Sequence, residues 1–327
     1  MPGRRTFALA ALMSLVTASL ASPAAAQADD WKPERLVRVL VNGAPGSGAD
    51  TAMRAAVPHM EKFAGVRMVI ENQVGGGGSV GVLAAARAQP DGHTLLAAVS
   101  GVLLNPLINP NTPYDLFRDV VPVSQVTRST AALLVNNHTP AQSLKELADL
   151  ARAQPGKLDM GNFGFGTSSH IQGVVLARRL GVDWQIVPFP SSPPLLRDMI
   201  AGHICCGISD LSSAGEFVRT RQLRALAVNG TARSPAMPDV PTFAELGITG
   251  LEAELFQGLY APAGTPEKIL NFWSRAVAYA VRQPEVIEIL SRGSSQGVSS
   301  TPAEFAAFMR DQHARWKQVV DETGIRK

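Results

Sequence analysis

Three short stretches rich in glycine and hydroxyl groups carry the residues best suited to chemistry. They are Gly43-Ala44-Pro45-Gly46-Ser47-Gly48-Ala49-Asp50, Gly75-Gly76-Gly77-Gly78-Ser79 and Gly164-Phe165-Gly166-Thr167-Ser168-Ser169-His170, and each stands where an apolar run gives way to a helical pattern. Glycine admits close approach to the backbone. A helix start adds unpaired N–H groups and a partial positive charge of about half a unit. Together these can hold a carboxylate with neutral donors. Hydrogen bonds to a charged group contribute roughly 1.5–3 kcal/mol each, so four or five suffice for micromolar binding after ordering costs. The candidate ligand residues are Pro45, Gly46, Gly48 and Asp50 in the first turn, and Gly75, Gly76, Gly77 and Gly78 in the second. The third turn offers Gly166, Thr167, Ser168 and His170, and Ser100, Ser192, Ser209 and Asp210 fall just beyond other strand ends. Each turn also has a plainer reading as a tight turn, Asp50 as the acid of a helix first turn, and His170 as a packed or capping histidine.

Enzyme chemistry finds little support. No Gly-Lys-Ser/Thr follows Gly75–Gly78, so there is no phosphate loop, and Pro45 breaks a dinucleotide fingerprint. Ser168, Ser169 and His170 are adjacent and point in different directions from a helix start, and no Gly-x-Ser-x-Gly elbow exists. The other histidines lack Asp or Cys partners at recognisable spacing, so no catalytic residue, metal or cofactor is expected. Cys205 and Cys206 are neighbours, too close to bridge without strain, and read as small buried apolar residues.

The elements that must position the three turns alternate short β-branched runs with helical patterns, which indicates βαβ units on largely parallel sheets. Strands are predicted at 36–41, 66–71, 94–99, 120–125, 131–135, 160–162, 186–188, 204–208, 223–228 and 256–261. Helices are predicted at 51–63, 80–88, 143–153, 168–180 and 195–201, with two C-terminal helices at about 266–282 and 302–322. The last opens on Thr301-Pro302-Ala303-Glu304, which has an N-cap hydroxyl, a first-position proline and a capping-box acid. The fold class is α/β, with two α/β domains joined by crossing strands and a ligand cleft between them.

Arg4-Arg5, the apolar stretch from Phe7 to Leu20 and Ala24-Ala25-Ala26 form a cleavable export signal over residues 1–26, which places the protein in the periplasm. The twin arginines leave the general secretory and twin-arginine routes both open. The leader holds two of the 30 basic residues and none of the 27 acids, leaving 28 against 27 in a mature chain of 301 residues. That length favours two domains, and the near-neutral balance argues against nucleic acid as a partner.

From Trp31 to Arg326 the chain resembles the tripartite tricarboxylate transporter receptors, the Bug family of periplasmic binding proteins. The resemblance is carried by Ala44-Pro45-Gly46-x-Gly48-x-Asp50, Glu71-Asn72-x-x-Gly75-x-Gly77-Gly78, Pro90-Asp91-Gly92-His93-Thr94 and Asn105-Pro106. It continues through Gly166-Thr167-Ser168-Ser169-His170, Pro238-Asp239-Val240-Pro241-Thr242 and Gly258-Leu259-Tyr260-Ala261-Pro262. It implies a type II periplasmic-binding-protein architecture, with 27–127 plus 253–327 in one domain and 128–252 in the other. It further implies a small organic or amino acid ligand, its carboxylate on the backbone of Pro45, Gly46, Gly48 and Gly75 to Gly78, with Thr167, Ser168 and His170 opposite. The partners implied are membrane transporter subunits or, alternatively, a sensor protein. The sequence departs from the family at Gly43 (usually aromatic), Val74 (often Pro), Phe189-Pro190-Ser191-Ser192 (usually Tyr-Lys-Gly-Ser) and Ser209-Asp210 (an Asp expected one position earlier).

Overall fold

The computed structural model describes residues 31–325 apart from 165–166, 231, 252–254 and 294. The 1–26 leader and Gly166 therefore lie outside the described residues. The chain begins with β1 (Val37–Val41), α1 (Gly48–Ala64), β2 (Met68–Asn72), α2 (Ser79–Ala86), β3 (Thr94–Val99), α3 (Gly101–Ile108), α4 (Leu116–Asp119) and β4 (Val120–Ser129). It crosses into β5 (Ala131–Asn136), α5 (Leu144–Ala153), β6 (Asp159–Asn162), α6 (Ser168–Leu180), β7 (Gln185–Pro188), α7 (Ser192–Ile200), β8 (Cys206–Asp210), α8 (Leu211–Arg219) and β9 (Leu223–Val228). It returns through β10 (Leu255–Pro262), α9 (Glu267–Ala280), α10 (Pro284–Arg292), β11 (Ser295–Gly297) and α11 (Pro302–Thr323).

Two sheets result. The first runs β11-β4-β10-β3-β1-β2 and the second β7-β6-β8-β5-β9. β1 pairs in parallel with β2 and β3, while β10 lies antiparallel between β3 and β4. In the second sheet β6 is parallel to β7 and β8, and β5 is antiparallel to β8 and β9. Helices cover both faces of each sheet, so central strands must be apolar throughout. β10 (Leu-Phe-Gln-Gly-Leu-Tyr-Ala-Pro) is buried at all eight positions. The passage from one sheet to the other is abrupt, because a single residue, Thr130, separates β4 from β5.

Helix α11 has the expected start. Thr301 Oγ accepts the Glu304 N–H at 3.2 Å, and the Glu304 carboxylate accepts the Thr301 N–H at 2.8 Å. Its 22 residues then serve both lobes. Phe305 and Met309 pack with Phe256 and Tyr260 against the first sheet, whereas Trp316 and Val320 pack with Ile171 and Val175 in the core of the second.

The C-terminal region differs from expectation. Between the two expected helices the chain inserts α10 and the short β11. Pro284 at the first turn ends α9's pattern and opens a new helix, whose Val286 and Leu290 pack on Ala52 and Ala55 of α1. β11 is Ser-Gln-Gly, with no β-branched residue to mark it; it forms because β4 has a free edge. α3, α4 and α8 also escape sequence pattern, α3 because Pro106 lies within it. Among the described residues no helix is long and apolar enough to cross a membrane.

Candidate functional site

The first turn is fixed from behind by Asp50. Its carboxylate, 2 % exposed, accepts the Gly46 N–H at 2.9 Å, Arg54 Nε at 2.8 Å and Asn72 Nδ2 at 2.9 Å. Asn72 Nδ2 also donates to the Gly43 carbonyl at 2.8 Å, tying the turn to β2. Burial pushes the Asp50 carboxyl up, but the Arg54, Asn72 and Gly46 hydrogen bonds outweigh it and hold it below the usual carboxylate range. Asp50 is thus an internal buckle and the acid of the α1 first turn. With Pro45 and Gly46 it faces a shallow outer depression beside Arg54 and Ile289. Of the first-turn candidates, Gly48 alone borders the cleft between the sheets, together with Gly43, Ala44 and Ser47.

The second turn is Gly75 followed by a single 3-10 turn over Gly76–Gly78, and all four glycines have positive φ, at 127°, 59°, 64° and 97°. Side chains are strained in that region, so four glycines in a row keep the backbone bare. Asn105 Nδ2, from α3, donates to the Gly76 carbonyl at 3.2 Å and holds the turn in place. All four glycines border the cleft.

From the other lobe, Thr167 caps α6. Its Oγ1 accepts the His170 N–H at 3.3 Å and donates to the Gly164 carbonyl at 2.7 Å. Gly164, Thr167 and Ser168 border the cleft. His170 does not: it is buried in the first turn of α6, and burial pushes its imidazole below the usual histidine value. The Ser192 and Ser209 hydroxyls share a hydrogen bond at 2.7 Å. Asp210 caps α8, accepting the Ser213 N–H at 2.9 Å and the Ser212 hydroxyl. Ser192 and Asp210 line the cleft, whereas Ser100 and Ser209 line a smaller compartment behind it.

The cleft has a volume of about 600 Å³. Its walls add residues that sequence reasoning missed: Asn42, Asn105 and Asn109, and the aromatic rings of Phe163 and Phe189. Asn42 and Asn105 were findable, since each sits one step from a glycine turn or inside a family motif. Among the described lining residues there is no lysine, arginine or histidine. Cys205 and Cys206 are free thiols at the far end of β8.

Two α/β lobes around a largely apolar cleft with uncharged polar donors, where strand ends meet helix starts, define a solute-binding protein. The chain matches the model of the tripartite tricarboxylate transporter family receptor over residues 52–325 and belongs to that family of periplasmic binding proteins. It is 31 % identical to protein BugT of Bordetella pertussis over 95 % of each chain. Among solved structures it is similar to MatC from Rhodopseudomonas palustris with bound malate, at 31 % identity and a TM-score of 0.84 over 88 % of this chain and 99 % of that one. It is also similar to a second R. palustris protein with adipate, at 26 % identity and a TM-score of 0.85 over 90 % and 99 %.

Proposed function

We propose that this protein captures a small carboxylate-bearing solute in the periplasm and presents it to membrane transporter subunits, without chemically altering it. The observation that carries this reading is the meeting of Gly48, Gly75–Gly78 and Thr167–Ser168 on one cleft without a cation. Helix starts and bare backbone supply the donors that a carboxylate needs. The malate and adipate of the two R. palustris proteins are acids of the same kind. Segments 27–127 plus 253–327 and 128–252 act as two jaws hinged at the crossing strands. Residues 1–26 direct export and are removed.

A thermal-shift screen of carboxylic acids, followed by calorimetry, tests this. A ligand bound only by the folded form raises Tm by mass action. The reading requires at least one carboxylic acid to bind, and its methyl ester to bind at least tenfold more weakly. Equal binding of acid and ester would refute it. Mature protein from the native host should begin at Gln27 by N-terminal sequencing.

A further inference from the structure

Behind the main cleft lies a second compartment of about 100 Å³, walled by both lobes. Gln172 borders it from α6 in one lobe and Gln257 from β10 in the other, at 1 % and 2 % exposure. Gln257 Nε2 donates to the Ala49 carbonyl at 3.1 Å, a bond within its own lobe. Among the described residues, neither Gln257 Oε1 nor either amide atom of Gln172 meets a hydrogen-bond partner. Eight serine and threonine hydroxyls line the compartment, and none of them bonds to these three atoms. The three atoms also have essentially no accessible surface, so solvent in the hollow does not reach them. Native interiors pair nearly all their buried polar groups, so three orphans facing one boundary call for a reason.

The boundary itself supplies the reason. At the rim of the compartment α1 and α8, one from each lobe, meet so tightly that a Cβ at Gly48 would clash with the Ser212 hydroxyl. Contact between the lobes is what shuts the amides in, and parting them lets water reach both. Resting on the two-jaw reading above, we infer that Gln172 and Gln257 form a built-in resistance to closure. Closing strips water from their amides and returns no hydrogen bond, which is the costly way to bury a polar group. The open form is therefore favoured until the contacts of a captured solute outweigh that loss. Neither residue lines the main cleft, so both act on affinity without touching the solute. A solute's apparent affinity falls as the binding-competent form becomes rarer, and its release becomes easier. An apolar pair at these positions would hold the jaws shut on their cargo, which ill suits a protein that must hand it on.

The test turns on Gln172, because replacing Gln257 would also remove its bond to Ala49. Gln172→Met keeps the length of the side chain and deletes the amide, whereas Gln172→Glu adds a charge that closure would bury unpaired. Small-angle scattering on the ligand-free mature protein should give Gln172→Met a smaller radius of gyration than Gln172→Glu. Calorimetry with each acid from the carboxylic-acid screen that binds the parent should find Gln172→Met about tenfold tighter and Gln172→Glu at least tenfold weaker. The ligand-free Tm of Gln172→Met should stay close to the parent's, since its amide is wet in the open form. A raised Tm at unchanged affinity would mean that the amide is buried in both forms, and would overturn the inference. So would Gln172→Met binding no tighter than the parent, or ligand-free scattering curves that coincide for the two variants. If every acid in the screen fails to bind, the carboxylate reading falls alone and the scattering comparison decides this one. Parent curves that coincide with and without a bound acid would overturn the two jaws, and this inference with them.

Discussion

Gly48→Ala should act on closure of the cleft and leave folding intact. Gly48 is the first residue of α1, and its φ is not in the left-handed region, so alanine suits the backbone and gains helix propensity. The difficulty lies across the cleft. A Cβ at Gly48 would clash with the Ser212 hydroxyl and stand 2.8 Å from Asp210 Oδ1 and 3.1 Å from Ser212 Cβ. Rotating the hydroxyl away sacrifices its hydrogen bond to Asp210, about 1 kcal/mol. The Cβ contact remains, and Ser212 has little room to retreat, because its Cα packs on Gly293, where a Cβ would stand 2.6 Å away. Residual overpacking costs roughly another 1 kcal/mol. Charged to the closed form, about 2 kcal/mol weakens binding about 30-fold. Calorimetry with a hit from the acid screen should read that loss with no fall in apo Tm, and Ser212→Gly in the same chain should recover most of it. Parent-like affinity in Gly48→Ala would refute the reasoning. A fall in Tm at unchanged affinity would assign the contact to folding.

Ser168→Ala should weaken binding by about 1–2 kcal/mol at constant Tm, whereas Thr167→Ala should also lose about 1 kcal/mol of stability, because its hydroxyl caps α6; paired melting and calorimetry separate the two. Asp50→Asn should cost about 2–3 kcal/mol at neutral pH through lost charge-assisted hydrogen bonds. Because the folded-state Asp50 value is depressed, its contribution is present above about pH 4 and fades as pH falls through the folded value, so the Tm gap between Asp50→Asn and parent should shrink below about pH 4. Affinity should be flat from about pH 6.5 to 8.5 and indifferent to His170→Gln, since His170 is held neutral by burial away from the cleft; a loss above pH 7 would contradict this. Small-angle scattering should show a smaller radius of gyration with saturating ligand, and superimposable curves would refute closure.

The elements most legible in the sequence were those with local chemistry. β3, α6 and β9 fall where periodicity put them, and α11 begins on its capping box. Elements formed by tertiary demand were not legible: β11 exists for the edge of β4, and α10 for the Ala52–Ala55 face of α1. At the site, glycine runs located the turns but not which side of each turn faces the cleft. Gly48 and Gly46 lie two residues apart on opposite sides, because the Asp50 buckle draws Gly46 outward. Gln172 and Gln257 were invisible for a different reason. Gln257 stands alone in apolar β10 and Gln172 among the serines, histidine and arginines of α6, so neither pattern marks the amide before both lobes bring the pair to one compartment.

The double duty of α11 bears on how the molecule comes into being. Synthesis runs from the N-terminus, so Phe305, Met309, Trp316 and Val320 are among the last residues made, yet they complete the cores of both sheets. A growing chain on the order of tens of seconds old still lacks the piece that seals either half. Neither half is a finished object before the other, and the polypeptide stays pliable until its final turns are released. If the proposed export uses the general secretory route, which takes chains before they fold, that lateness is an advantage written into the last helix.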